Sequence, residues 1–183
     1  MIDENLLASA VRNACDRMGV TLVRSEHRPG IGAWISFNQR QALNPMTRSV
    51  WLDSREEHTE AWFWALHELE HLVFWREDDP QMRSSPELLF MPWGVGVLRA
   101  AGVPGAEYMR STYNRATVTG IGALWIGKRC YGEVGDWAYP MKSAWFRRAR
   151  AANIAAGTID ERGLPTWRMP DWSKIDIEEH LQP

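Results

Sequence analysis

His67, Glu68 and His71 lie within one run of five residues, His67-Glu68-Leu69-Glu70-His71. On a helix, residues four apart differ by about 40° around the axis and by one turn along it. Two imidazoles at that spacing reach a single ion, as tetrahedral Zn²⁺ requires. A carboxylate between them, Glu68, is the residue type that takes a proton from a metal-bound water. The pattern predicts a zinc site with His67 and His71 as ligands and Glu68 as general base.

The motif needs a helix, and the flanking residues supply one. Glu57 to Leu66 before it and Leu72 to Trp75 after it suit a helix entering an apolar interior. Ser54-Arg55-Glu56-Glu57 matches a capping box, with Ser54 as N-cap, and the polar run Arg76-Glu77-Asp78-Asp79-Pro80 ends the helix near Trp75. Upstream, Asp3 to Met18 carries Leu7, Val11, Ala14 and Met18 at helical spacing and stops at Gly19. Thr21-Leu22-Val23 is a short strand, Gly32 to Asn38 a second, and Ser49 to Asp53 a third, antiparallel to the second, with a turn at Asn44-Pro45.

Beyond the motif, Ser85-Pro86-Glu87 opens a further helix that runs to Ala101 and stops at Gly102-Val103-Pro104. Pro92, Gly94 and Gly96 weaken it internally. Gly105 to Ala116 suits a helix, whereas Thr117 to Tyr131 fits either a packed helix or a strand pair. Met141 to Ala156 is helical and ends at Gly157; the stretch 166–172 is irregular chain. The expected fold is α+β: a small antiparallel sheet packed on several helices, one carrying the motif. The expected organisation is a domain over 1–139 with a C-terminal helix and tail, 140–183, packed on it.

The order helix, short strand, hairpin and motif helix resembles the ImmA/IrrE family of zinc metallopeptidases, which have a zincin-like fold. In that family a strand pair ends in an aspartate or asparagine and runs into a helix carrying H-E-L-G-H. Here Gly32 to Asn38 and Val50-Trp51-Leu52-Asp53 stand for the strands, and Ala65 to Leu72 for the motif. The resemblance covers roughly residues 5 to 92. It implies an intracellular, zinc-dependent endopeptidase; many members act on a DNA-binding repressor, often in phage or mobile-element induction or in stress responses. Two departures stand out. Glu70 replaces the family's glycine, and Glu87-Leu88-Leu89-Phe90-Met91-Pro92 echoes a glutamate-led family helix at compressed spacing. Glu87 is the favoured third ligand, completing a two-histidine, one-glutamate set, with Asp78, Asp79 and Glu107 as alternatives. A glutamate in the first turn of a helix is also favoured by the helix dipole without any metal.

The bulk properties bound the partners. A chain of 183 residues with 45% hydrophobic and 24% charged residues is expected to be globular. Its net charge of -2 gives no reason to expect direct nucleic-acid binding, and Arg147-Arg148-Ala149-Arg150 is most simply a solvated helix face. No apolar run is long enough to span a bilayer, and the N-terminus lacks the pattern of a secretory signal, so a cytoplasmic setting is expected. Cys15 and Cys130 are too few for a disulfide scaffold, and Cys15 falls on an apolar helix face. Trp62, Phe63 and Trp64 cannot share one helix face, so part of that aromatic surface must meet another layer or a partner. The competing expectation is a non-catalytic interaction protein with a structural or vestigial metal site and a tryptophan-rich partner surface.

Overall fold

Asp3 starts the first helix, α1 (Glu4–Arg17), by accepting the amides of Asn5 and Leu6 at 3.0 and 3.2 Å. In the computed structural model, which describes residues 3–30, 34, 41–56, 59–76, 87–103 and 144–176, the chain forms two compact units, 1–85 and 86–183. The boundary expected at 139/140 lies outside the described residues. In α1 the apolar stripe of Leu7, Val11 and Ala14 is buried. Gly19, at φ +63°, lets the Val20 amide bond the Cys15 carbonyl and so closes the helix in a Schellman motif.

β1 (Thr21–Ser25), β2 (Gln41–Asn44) and β3 (Ser49–Asp53) form a sheet in the order β1-β3-β2. β3 is antiparallel to β2, with Leu43 opposite Val50, but parallel to β1, with Thr21 opposite Ser49 and Ser25 opposite Asp53. The expectation of an antiparallel sheet is therefore corrected: the sheet is mixed. The Asn44 carboxamide accepts the Met46 and Thr47 amides at 3.1 and 3.2 Å, and Arg48 at φ +48° completes the β2–β3 turn. The second strand expected over 32–38 lies outside the described residues, where only Trp34 is placed. The described antiparallel partner of β3 is Gln41–Asn44, a segment with little apolar alternation.

The motif helix, α2 (Thr59–Val73), starts five residues after Ser54 rather than immediately after it. Ser54 sits inside a turn in which the Asp53 carboxylate accepts the Arg55 amide at 2.9 Å and the Asp53 carbonyl accepts the Glu56 amide at 3.0 Å. Asp53 thus takes the local capping role that the sequence pattern gives to Ser54, and it does so for a turn. The helix packs against α1 and against β2 and β3, and from Ala61 to Phe74 every residue but Trp64 is buried. Its aromatic surplus meets α1 and β1: the guanidiniums of Arg12 and Arg24 lie 4.8 and 5.0 Å from the Trp62 ring centroid. Arg24 also donates to the carbonyls of Ser54 (3.0 Å) and Glu56 (3.4 Å), tying β1 to the connection that leads into α2.

In the second unit, α3 (Glu87–Ala100) runs through Pro92 and ends at Gly102, φ +69°, with the Val103 amide on the Leu98 carbonyl. It packs on α4 (Ala144–Ala155), which closes at Gly157 in the same way. The Asn153 side chain, fully buried in α4, donates to the Ala149 carbonyl and accepts the Thr158 hydroxyl at 2.6 Å. The chain after α4 loops back through an Ile159–Pro165 bridge and reaches a 3-10 turn, Trp172–Lys174, capped by Asp171. Arg147 is exposed, whereas Arg148 and Arg150 are half-buried and Arg150 donates to the Glu161 carbonyl, so the stretch expected as a solvated face is solvated only in part. Among the described residues, no helix is long and apolar enough to cross a membrane.

Candidate metal centre

The site occupies the second half of α2. His67 and His71 fall one turn apart, as the spacing requires, and their Nε2 atoms stand 2.9 Å from each other. Their rings are nearly perpendicular, at 80°, with centroids 4.4 Å apart. The two Nε2 atoms are therefore near enough to each other to serve one ion. Two nitrogens on a tetrahedral Zn²⁺ at about 2.0–2.1 Å stand roughly 3.3 Å apart, so the pair needs only a few tenths of an ångström of spreading to fit. Without an ion, 2.9 Å also suits a direct N–H···N hydrogen bond between two neutral rings of complementary tautomer. The donor set fits zinc, and it equally fits a self-satisfied histidine pair.

Burial sets the electrostatics. His71 is 2% exposed, and loss of solvent lowers its pKa to about 3, so the ring is neutral at physiological pH and its nitrogen is available as a ligand. Glu68 is 1% exposed and Glu70 is fully buried. Two carboxyl groups buried within one helical turn cost several kcal/mol each as anions unless hydrogen bonds or positive charge offset them. The Glu70 carboxylate approaches Nδ1 of His67 to 3.8 Å, on the side of the ring away from His71. Trp64 packs edge-on against His67 at 5.9 Å between centroids.

The remaining predicted ligands fare differently. Glu87 is the first residue of α3, and its side chain lies outside the described set. Asp78, Asp79 and Glu107 lie outside it altogether, as does Cys130. Among the described residues no third histidine, cysteine, aspartate or glutamate joins His67 and His71 in a metal-holding group. From the sequence, Glu70 in place of glycine implies a looser helix contact or an added carboxylate near the metal, and the structure buries that carboxylate 3.8 Å from His67 Nδ1. Its signal was present in the chain: an acidic residue three positions after a histidine faces that histidine on a helix. No family model, no curated protein and no solved structure matches this chain.

Proposed function

We propose that the chain is a zinc-dependent endopeptidase of the ImmA/IrrE type with a zincin-like fold. The observation that carries this reading is the 2.9 Å approach of the His67 and His71 Nε2 atoms on the helix that also buries Glu68. His67 and His71 would hold the ion, with Glu87 the third ligand that the sequence alone favours. Bound Zn²⁺ supplies Lewis acidity that brings the pKa of water towards neutrality and polarises the scissile carbonyl. Glu68 accepts the proton of the attacking water, whose oxygen joins the carbonyl carbon. The same carboxyl then delivers that proton to the leaving amine nitrogen, so one water is consumed for each C–N bond broken. The substrate class is a protein, with a DNA-binding repressor suggested by the resemblance alone, in a cytoplasmic setting without membrane or direct nucleic-acid contact.

Metal analysis of the wild type and of Glu68→Gln, with cleavage of a fluorogenic peptide library, tests the reading. Both proteins are expected to hold one zinc, and only the wild type to cleave, the variant losing about 10²–10⁴-fold or more. A wild type that retains no zinc, or a zinc-loaded wild type that cleaves nothing in the library, sinks it.

The burial of His67, Glu68, Glu70 and His71 favours a second reading: a non-catalytic interaction protein whose metal site is structural. X-ray absorption separates the two. Four protein ligands mark a closed structural site, whereas three with one light-atom ligand from solvent mark an open one.

A further inference from the structure

Glu70 has the geometry of an outer-sphere partner for a metal-binding histidine. A ligand imidazole that binds through Nε2 keeps its proton on Nδ1, and that N–H needs an acceptor to fix the tautomer and the ring orientation. In α2 the Glu70 carboxylate lies at i+3 from His67, fully buried, with Oε2 3.8 Å from Nδ1. That separation is ion-pair range, and a side-chain adjustment of under about 1 Å brings it to hydrogen-bond length. Nε2 of the same ring faces His71. One imidazole thus has a carboxylate near one nitrogen and the His71 ring at the other.

We propose that Glu70 is a positioning residue: its carboxylate takes the Nδ1–H of His67 and so aims that ring's Nε2 lone pair at the point shared with His71. The inference rests on the zinc reading above and adds a role that the motif spacing does not assign. It also orders the metal-free pair. With His67 protonated on Nδ1, its Nε2 is an acceptor, so His71 must be the Nε2–H donor across the 2.9 Å contact. For both Nε2 atoms to hold an ion, that hydrogen bond would have to break and the His71 proton would have to pass to its own Nδ1.

Zinc affinity measured by competition with a chromogenic chelator, on the wild type, Glu70→Gln and Glu70→Leu, tests this directly. Leucine removes the acceptor while filling similar space, and is expected to weaken zinc binding by about 10–100-fold. Glutamine keeps an acceptor oxygen without the charge, so its affinity falls between the two. A purely packing role predicts that the leucine variant binds zinc as tightly as the wild type, and that result overturns the proposal while leaving the zinc site standing. Long-range ¹H–¹⁵N spectra of the metal-free wild type decide the matter should the leucine variant not fold. His67 protonated on Nδ1 and His71 on Nε2 support the proposal; His67 protonated on Nε2 overturns it. A wild type that binds no zinc at all overturns this inference together with the function it rests on, an outcome distinct from retained affinity in the leucine variant.

Discussion

Gly96 in α3 lies so close to the Gly163 carbonyl oxygen that a Cβ at position 96 would come within 2.6 Å of it. The obstacle is backbone rather than a flexible side-chain end, and Pro165 Cδ stands 3.4 Å from the same point. Gly96→Ala gains about 1 kcal/mol of helix propensity but must push the returning tail away from α3. Overpacking of this kind typically costs about 1–3 kcal/mol. The expected net outcome is destabilisation, with the melting temperature lowered by a few degrees. An unchanged or higher melting temperature would show that the tail does not rest on α3 as described.

Arg24 does two jobs that Arg12 does only in part. Both guanidiniums lie against Trp62, but Arg24 alone of the two also donates to the carbonyls of Ser54 and Glu56. Arg24→Met, which keeps much of the apolar stem, should cost about 1–3 kcal/mol through carbonyls left without a charged donor. Arg12→Met should cost only about 0.5–1 kcal/mol, the range of a cation–π contact near the surface. Urea unfolding of the two variants checks the order. Equal losses would mean that the carbonyl contacts of Arg24 contribute nothing.

Residues 67–71 were the most legible part of the chain because a five-residue spacing on a helix fixes its own geometry: knowing that α2 is helical suffices to bring His67 and His71 together. The glycine stops at 19, 102 and 157 were legible for the same local reason, each taking a positive φ that ends a helix. Non-local choices were not legible. The parallel pairing of β1 with β3 joins residues 28 positions apart, Thr21 with Ser49, and no local pattern encodes it. Ser54-Arg55-Glu56-Glu57 matched a capping box, yet the buried Asp53 carboxylate captured the Arg55 amide first. Local hydrogen bonding of aspartate to the chain just after it competes with helix initiation.

Cys15 is 1% exposed, and burial pushes its thiol up to about 12, with Asp16 adding to the shift. Only the thiolate reacts, so in a Cys130→Ser background the native protein should resist a thiol reagent at pH 8 and react on unfolding. The linkage has a definite sign. The unfolded thiol ionises from about pH 9 while the folded one does not, so this group lowers stability as pH rises above about 9. Rapid labelling of the native protein at pH 8 would contradict the buried α1 face.

His71 gives the opposite slope on the acid side of the metal-free protein. Its pKa is lowered from 6.5 to about 3 by burial, so between those values the unfolded chain holds a proton that the folded chain does not. Stability from this group is therefore full above about pH 6.5 and falls as the pH drops, by up to about 1.4 kcal/mol per unit. In the presence of a chelator, urea unfolding at pH 7, 6, 5 and 4 should show a steeper acid loss for the wild type than for His71→Gln, which has nothing to protonate there. Added zinc should raise wild-type stability at pH 7, by about 2.7 kcal/mol at a free concentration one hundred times Kd, and should leave the variant nearly unchanged. Parallel acid profiles for the two proteins would mean that His71 is solvated rather than enclosed.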